Sequence, residues 1–370
     1  MSSKTGSLPS DRIVSIDALR GFDMFWIIGG GTVFQRFFRL FDHPVADSLR
    51  VQLRHTRWNG FTFEDLIFPL FLFIVGVCMP FSITRRLERG VSRASLYRHI
   101  VTRSFLLILL GLIYNGLLGF NFESMRYVGV LQRIGVCYFF TALILMNTRF
   151  RGQVYWAAGI LLGYWAIMKL VPVPGYGTGV LTPAGNLASY IDQRFLPGNF
   201  CCFRYGDNEG LLSTIPAVAT ALLGVLCGHW LMGTASSAKK VRGLLAAGVI
   251  SLVVAVVWGR VFPINKLLWT SSYVLFAGGW SMLLLGAFYW IIDYRGWRMW
   301  AFPFIVIGLN PITIYVAQGV FDFGIIANIF VHGFIDHFGD IKPVLFAVSV
   351  VTVKWLFLYF LYRQKIFLKV

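Results

Sequence analysis

Charged residues are scarce in this chain. They make up 13% of its 370 residues, where roughly 25% is usual in globular domains. Hydrophobic residues make up 57%, and the mean hydropathy is +0.70. This composition excludes an ordinary soluble protein. Low-complexity tracts, coiled-coil heptads and a separate soluble domain are lacking as well, so we expect residues 1–370 to form a single membrane domain.

Cysteine is also rare, and its spacing gives no support to a structural zinc site. The five cysteines include no CxxC pair, a spacing typical of such sites. Cys201 and Cys202 are adjacent, and the sequence leaves open a vicinal disulfide, a bond to another chain or two free thiols. His332 and His337 are five residues apart, which does not place both rings on one helix face. We therefore expect no bound metal.

Acidic residues are few beside basic ones. Asp and Glu number 16 against 33 Lys and Arg, which gives a formal net charge of +17. An excess of this kind can indicate nucleic-acid binding. In a membrane protein it is better explained by the enrichment of Lys and Arg in loops on the inside of the membrane. We therefore expect membrane lipid, and no nucleic acid, as a partner.

Long apolar runs are what the chain has in abundance. Ten of them approach 20 residues, about the length that crosses the hydrocarbon core of a bilayer. They are 16–34, 62–84, 102–120, 128–147, 153–171, 211–233, 244–262, 273–292, 301–320 and 343–362. The first run follows the polar segment 1–12 and lacks a small-residue cleavage site, so we expect a retained signal anchor. The sequence thus predicts an all-α polytopic membrane protein with about ten transmembrane helices.

Basic side chains set the predicted orientation. Arg and Lys cluster in the short connections and the tail that lie on one side of these ten runs, namely 85–101, 148–152, 234–243, 293–300 and the residues after 362. Because such clusters stay inside, we expect the N- and C-termini to be cytoplasmic. The segments that then lie outside are 35–61, 121–127, 172–210, 263–272 and 321–342. The sequence leaves open whether the last of these spans the membrane, dips into it or lies flat.

The outer edge of the second run carries a group of polar side chains, His55, Asn59, Glu64 and Asp65. An imidazole with a reference pKa of about 6.5 can take up a proton near neutral pH. We therefore predict a catalytic site with His55 as general base and with Asp65 and Asn59 beside it. The alternatives are a hydrogen-bonded structural histidine and carboxylates that a helix dipole stabilises; for Glu64 we favour the dipole.

A second set of polar side chains lies in or beside the spans and is suited to an anionic cofactor that enters from inside. Arg20 follows Asp17 by three residues on one helix face, where a simple ion pair is the alternative. Gln132 and Arg133 lie inside a span, where a charge requires a partner or a hydrated cavity. Asn310 precedes a proline that interrupts a helix, although a plain kink explains it as well.

A third set, on the outer side, suits a sugar because it combines carboxylate, amide, amine and indole groups. Its members are Trp58, Glu209, Asn265, Lys266 and Trp269. Polar groups can bind hydroxyls or an amine, and an aromatic plane can cover a sugar ring. A solvated rim is the alternative. We predict these five as substrate-binding residues.

Taken in order, these motifs resemble bacterial membrane proteins related to the heparan-α-glucosaminide N-acetyltransferase family. The motifs are Ser15-x-Asp17-x-x-Arg20-Gly21, His55-x-x-Trp58-Asn59-Gly60 with Asp65 and Phe68-Pro69, Gly129-Val-Leu-Gln-Arg-Ile-Gly135, Glu209-Gly210-Leu-Leu-Ser-Thr and Asn265-Lys266-x-Leu-Trp269-x-x-Ser272-Tyr273. Together they cover nearly the whole chain, and the ordered set is more specific than any one of them.

The resemblance implies a single transmembrane acyltransferase domain in a bacterial inner membrane. It implies that acetyl-CoA binds from the cytosolic side and that an amine of a glucosamine-type sugar or glycan outside accepts the acetyl group, with His55 as the catalytic histidine. A second copy of the chain is a possible partner. The family's asparagine before a Gly-Gly-Gly is missing here, where Ile27-Ile28 precede Gly29, so the resemblance assigns no oxyanion donor. Asn59 is a candidate for that role.

Two other functions fit the same polar residues. Ten spans with polar groups near the middle of the membrane also suit an amino-sugar transporter. An O-acyltransferase of envelope polysaccharide would use the same base with a hydroxyl as acceptor. In that case Asp65 and Glu209 would have less reason to lie close to the acceptor atom. We expect the N-acetyltransferase, because the outer histidine and carboxylate cluster and the inner arginines lie on both sides of one path.

Overall fold

The computed structural model describes residues 13–368. The polar segment 1–12 and Lys369 of the predicted basic tail lie outside the described residues. Within them the protein is helical almost throughout, which confirms the all-α prediction. The α-helices are α1 Val14–Phe25, α2 Gly31–Phe38, α3 Pro44–Gln52, α4 Ile67–Met79, α5 Arg85–Glu88, α6 Arg93–Tyr114, α7 Val130–Asn147, α8 Phe150–Leu170, α9 Leu187–Phe195, α10 Thr214–Met232, α11 Ser237–Gly259, α12 Ser271–Phe288, α13 Phe302–Leu309, α14 Pro311–Val320, α15 Phe323–Ile335 and α16 Lys342–Arg363. Two short antiparallel strands, β1 Cys202–Phe203 and β2 Gly206–Asp207, lie in the loop before α10.

The centre of the bundle is α4, whose residues are nearly all buried. It packs against α10, and α1, α7 and α12 also contact it. The packing against α10 is close because glycine occupies the contact: a Cβ on Gly76 would lie 1.9 Å from the Ala221 carbonyl oxygen, and one on Gly224 would lie 2.0 Å from that of Phe73. Small residues of this kind let membrane helices approach closely.

Seven of the ten predicted runs overlap candidate membrane spans, and an eighth overlaps a bent pair of helices. In the described part of the chain, seven helical stretches are long and apolar enough to cross a bilayer. A bent pair, Met299–Leu309 and Pro311–Val320 at 63°, raises the number to eight if it is one span. The predicted runs 16–34 and 153–171 are not among these. The first is interrupted at Gly29, and the second is the 21-residue helix α8. For these two, a crossing stays a prediction.

The segment 321–342 forms α15 and a short 3-10 helix, Asp336–Ile341, before α16. With 13 residues, α15 is only about 20 Å long at 1.5 Å per residue, which is too short to cross the hydrocarbon core alone. It packs against α16. The helix α15 therefore belongs with α16 to one candidate span, Phe323–Arg363, and adds no span of its own.

Candidate active site

A buried carboxylate, that of Asp65, organises the loop between α3 and α4. Its Oδ2 accepts hydrogen bonds from the backbone N and Oγ1 of Thr56 at 3.2 and 3.0 Å and from those of Thr62 at 3.2 and 3.0 Å. Thr62 and Asp65 form a capping box, which satisfies backbone donors at the start of a helix. The Asp65 side chain is fully buried, so the loop closes over it.

His55 lies on the outer face of this carboxylate. Its Nδ1 is 2.9 Å from Asp65 Oδ1, and 54% of its side chain is exposed. A neutral imidazole that donates from Nδ1 to the carboxylate keeps a lone pair on Nε2. In that tautomer, an imidazole able to accept a proton lies against a buried anion.

Lys266 completes the cluster from the loop before α12, 211 residues further along the chain. Its Nζ is 3.0 Å from His55 Nδ1 and 3.4 Å from Asp65 Oδ1. Burial lowers the pKa of the Lys266 ammonium, while the carboxylates of Asp65 and Glu209 act in the opposite direction. Asp65 thus faces both a cation and the imidazole.

Asn59 is held by a chain of three polar groups. The backbone N–H of Leu268 donates to Asn265 Oδ1 at 2.9 Å, and Asn265 Nδ2 donates to Asn59 Oδ1 at 3.0 Å. Asn265 is fully buried, whereas Asn59 is exposed. Because the Asn59 oxygen is already engaged, its amide nitrogen is the group left to donate a hydrogen bond to a ligand.

An ion cluster supports the loops beside this site. Arg126 donates from Nε and Nη2 to the Asp207 carboxylate at 2.7 and 2.5 Å, and it also pairs with Glu209. Burial disfavours the charged guanidinium, but the carboxylates of Asp207 and Glu209 outweigh it, so the pKa of Arg126 is raised. The carboxyl of Glu209 is therefore already bound to a protein cation.

Arg133 and Trp269 form a buried stack below the loops that carry His55 and Glu209. The Arg133 guanidinium lies 4.8 Å from the Trp269 ring centroid and donates to the Gly210 carbonyl and to Ser213 Oγ. The Trp269 Nε1 donates to Thr220 Oγ1 at 3.1 Å, and the ring is 1% exposed. Gln132, next to Arg133, donates from Nε2 to the Tyr127 carbonyl at 3.4 Å.

Arg20 lies far from this cluster along α1. It donates to Asp17 Oδ1 and to the Gly308 carbonyl, both at 2.6 Å. It lines a small cavity of about 70 Å³ together with Arg103, whose guanidinium covers the Tyr138 ring at 4.6 Å. Two guanidinium groups therefore meet in one internal cavity.

A second, narrower cavity of about 20 Å³ continues from the first. Both are lined by Phe71, Ile134 and Ile312, and the second also reaches Phe68. Phe68 packs against the Trp269 ring at a centroid distance of 5.3 Å. An apolar seam thus leads from the arginine pair towards the underside of the outer cluster.

The structure brings together some of the predicted site residues and separates others. His55, Asp65 and Lys266 are in direct contact, and Asn59 meets Asn265. Trp58 is half-buried, with its Nε1 donating to the Leu181 carbonyl at 2.9 Å.

Four of the predicted site residues have side chains that the protein covers. Asp65 lies behind His55 instead of facing an acceptor, and Trp269 and Asn265 are buried and hydrogen-bonded to protein groups. At the other end, Asn310 is buried and binds the Ile366 carbonyl and the Leu368 N–H of the C-terminal segment, each at 3.0 Å. These contacts occupy the groups that a substrate or cofactor would use.

Sequence reasoning missed Arg126 and Arg103. Arg126 is the cation in the outer segment 121–127, opposite the predicted Glu209, and Arg103 is a charge at the start of the predicted span 102–120. An ionisable residue inside an apolar run is a signal of function, and applied to Arg103 it would have found this residue. Among the described residues, no group of three His, Cys, Asp or Glu side chains could hold a metal ion.

Fold and site together define an all-helical, polytopic membrane protein with a histidine, aspartate and lysine cluster at one end of the bundle and an arginine pair in an internal cavity. Residues 12–261 match the family described as heparan-alpha-glucosaminide N-acetyltransferase, catalytic, and the chain belongs to this family.

Two curated relatives carry the same name. The heparan-alpha-glucosaminide N-acetyltransferase of Homo sapiens is 30% identical over 422 aligned positions, which cover 97% of this chain and 60% of the relative. That of Mus musculus is 32% identical over 375 positions, which cover 86% and 56%. The chain thus spans less than two thirds of the length of these relatives.

Proposed function

We propose that this protein is a transmembrane N-acetyltransferase. It takes the acetyl group of acetyl-CoA from the inside and transfers it to the amine of a glucosamine-type sugar on the outer side of a bacterial inner membrane. Membership of the family supports the type of reaction. The observation that carries the assignment of the site is the half-exposed imidazole of His55, whose Nδ1 is 2.9 Å from the buried Asp65.

His55 acts as the general base. The amine nitrogen of the acceptor attacks the thioester carbonyl carbon, the C–S bond breaks, and the proton that the nitrogen loses passes to Nε2 of His55 and then to the departing thiolate. Asp65 stabilises the imidazolium that forms in between, as a buried carboxylate does for a catalytic histidine. Lys266 compensates the Asp65 charge in the resting site, so that no isolated carboxylate is buried.

Asn59 supplies the hydrogen bond to the oxyanion. A tetrahedral intermediate places negative charge on the former carbonyl oxygen, and a donor fixed in advance stabilises it. The amide of Asn59 meets this requirement because Asn265 engages its oxygen. Asn59 thus serves in the role of the family's asparagine, at whose position this chain has Ile27-Ile28.

The acceptor binds among the outer loops. Trp58 is half-buried and packs edge to face on Phe203 at 5.6 Å, which leaves part of an aromatic surface for a sugar ring. Glu209 attracts an ammonium less strongly than an isolated carboxylate would, because Arg126 already pairs with it. We assign Glu209 to shaping the loop and Trp58 to contacting the sugar.

Acetyl-CoA occupies the apolar seam with its phosphates near Arg20 and Arg103. Guanidinium groups suit phosphate because they offer paired donors. The seam then leads past Phe71 and Ile134 towards Arg133 and the outer cluster. Its cavities of about 70 and 20 Å³ are far smaller than the co-substrate, so the helices around it separate on binding.

The test is a transfer assay on the detergent-purified chain with acetyl-CoA and a panel of glucosamine-containing sugars, following CoA release and product mass. His55→Gln should lower turnover by between about 10² and 10⁴, the usual contribution of a general base, while acetyl-CoA binding is retained. His43→Gln is the matched control, because His43 is exposed and only caps α3.

Near-normal turnover of His55→Gln would remove His55 from the mechanism. Acetylation of a hydroxyl in place of the amine would identify an O-acyltransferase. Uptake of an unchanged amino sugar into proteoliposomes, with no acetyl transfer, would identify a transporter.

A further inference from the structure

Two helices are interrupted side by side, and both breaks line one cavity. The first breaks at Gly29, with φ 136°, between α1 and α2. The second breaks at Phe321 and Asp322, between α14 and α15. Breaks of this kind expose backbone groups inside a membrane protein, and they are tolerated where they are buried in protein or line a polar cavity.

Lys354 contacts residues beside both breaks. It lies twelve residues after the start of α16. Its Nζ donates to the Ile28 carbonyl at 2.7 Å and to Gln318 Oε1 at 3.2 Å, and it lies 5.8 Å from the Phe323 ring centroid. Both of its hydrogen-bond partners are neutral oxygens. An ionisable side chain within an apolar helix indicates a functional site, and here its charge is not matched by a bonded carboxylate.

A cavity of about 540 Å³ opens in front of Lys354; we call it the helix-break cavity. Gln318 and Thr32 line it, phenylalanine rings form part of its wall, and Arg36 lies at the edge that it shares with a neighbouring cavity containing Arg39. Its volume is in the range of small-molecule sites, which combine apolar walls with a few polar groups. None of its lining residues belongs to the His55 site.

Two cations and one carboxylate line the helix-break cavity, and this net positive charge favours an anion. Arg36 donates to the Pro343 carbonyl at 2.9 Å, a neutral partner, so two cations face the cavity without a bonded carboxylate. The acidic residue in the lining is Asp322. Its Oδ1 accepts from the backbone N–H groups of Gly324 and Ile325 and caps α15.

We propose that the helix-break cavity binds a small organic anion with an apolar body. The carboxylate or phosphate of the ligand bonds to Lys354 and Gln318, and its body packs against the phenylalanine wall. Arg36, one turn of α2 beyond Thr32, attracts the anion into the cavity. The site is independent of the acetyl transfer proposed above.

The experiment is isothermal titration of the full chain in a neutral detergent with benzoate and phenyl phosphate. Benzyl alcohol is the neutral counterpart, and inorganic phosphate is the anion without a body. Lys354→Gln should weaken binding of both organic anions by about tenfold or more, the usual loss when a hydrogen bond to a charged group is removed. Lys354→Arg should keep it, and Arg36→Gln should weaken it.

Lys342→Gln is the matched control, because Lys342 lies on the same helix but pairs with Asp336 outside the cavity. Three results would overturn the proposal: benzyl alcohol binding as tightly as benzoate, inorganic phosphate binding as tightly as phenyl phosphate, or no binding of either organic anion. If Lys354→Gln does not fold, Arg36→Gln decides, and its unchanged affinity for both anions would overturn the proposal too.

Discussion

Two buried side chains orient two exposed ones. Asp65 is fully covered and holds His55 by Nδ1, and Asn265 is fully covered and holds Asn59 by its oxygen. In each pair the inner residue cannot reach a substrate, yet it determines which atom of the outer residue points outwards. Because a catalytic group works only in the correct orientation, the inner residues are expected to matter almost as much as the outer ones.

The asparagine pair offers a direct check of this dependence. Asn59→Ala should lower kcat by on the order of 100-fold, the usual loss of an oxyanion donor, and Asn265→Ala should lower it through Asn59. The double variant should then be no slower than Asn59→Ala alone, since residues that act through one another are not additive. Steady-state kinetics of the three variants provide the measurement. Losses that add in full would show that Asn265 has a separate role.

The sequence predicts the individual residues of this site but not all of the contacts between them. The motif around His55 made Asp65 and Asn59 candidates because they lie within ten residues of it. The sequence predicts Lys266 as a substrate-binding residue. In the structure its Nζ lies 3.0 Å from His55 Nδ1. The two residues are 211 positions apart, and a pairing of that kind depends on how α4 and α12 pack. No periodicity in the sequence contains that information.

At the scale of elements, the loop before α10 is built on a second buried carboxyl. Asp192 of α9 accepts from the backbone N–H groups of Asp207 and Leu211 at 3.2 and 2.9 Å. Glycine is required beside it, because a Cβ on Gly210 would lie 2.0 Å from Asp192 Oδ2. The turn that carries Asp207 and Glu209 therefore depends on Asp192.

This carboxyl makes the stability of the protein pH-dependent. Burial raises the pKa of Asp192 to about 6, well above the usual range of an aspartate, although the two backbone N–H groups oppose the shift. The folded state therefore favours the neutral acid, and this stabilisation is complete below the pKa of the unfolded chain and lost as pH rises through about 6. The loss amounts to about 3 kcal/mol for a shift of roughly two pH units.

Asp192→Asn should remove that part of the pH dependence. The melting temperature in detergent, measured from pH 4 to pH 7, should fall less steeply in this variant than in the natural chain. Asp47→Asn, at an exposed position of α3 paired with Arg50, should leave the slope unchanged. Parallel curves for Asp192→Asn and the natural chain would contradict the assignment.

The elements themselves were predictable to different degrees. Runs such as 211–233 and 273–292 lie close to α10 and α12 because apolar length alone determines a membrane helix. The break inside 16–34 was not predicted, because Gly29 lies within an uninterrupted apolar run. Its φ of 136° depends on the packing around it. The break at Asn310 was predicted because a proline follows it.

At the scale of the whole molecule, the chain separates its charges between the two ends of the bundle. The basic segments 85–101, 148–152 and 234–243 lie at one end because consecutive long helices run in opposite directions. The loops with His55, Arg126, Asp207 and Lys266 lie at the other end. If basic loops stay inside, the His55 cluster faces outwards, and the proposed reaction moves the acetyl group across the membrane within the protein.

Cysteine labelling from one side tests this orientation. Arg57 and Arg89 are both exposed, and they lie at opposite ends of the bundle. In a background without native cysteines, Arg57→Cys should react in intact cells with a membrane-impermeant maleimide, and Arg89→Cys should react only after the cells are opened. The opposite pattern would place His55 on the cytosolic side together with acetyl-CoA. Transfer across the membrane would then be unnecessary, and the acceptor would be a cytosolic sugar.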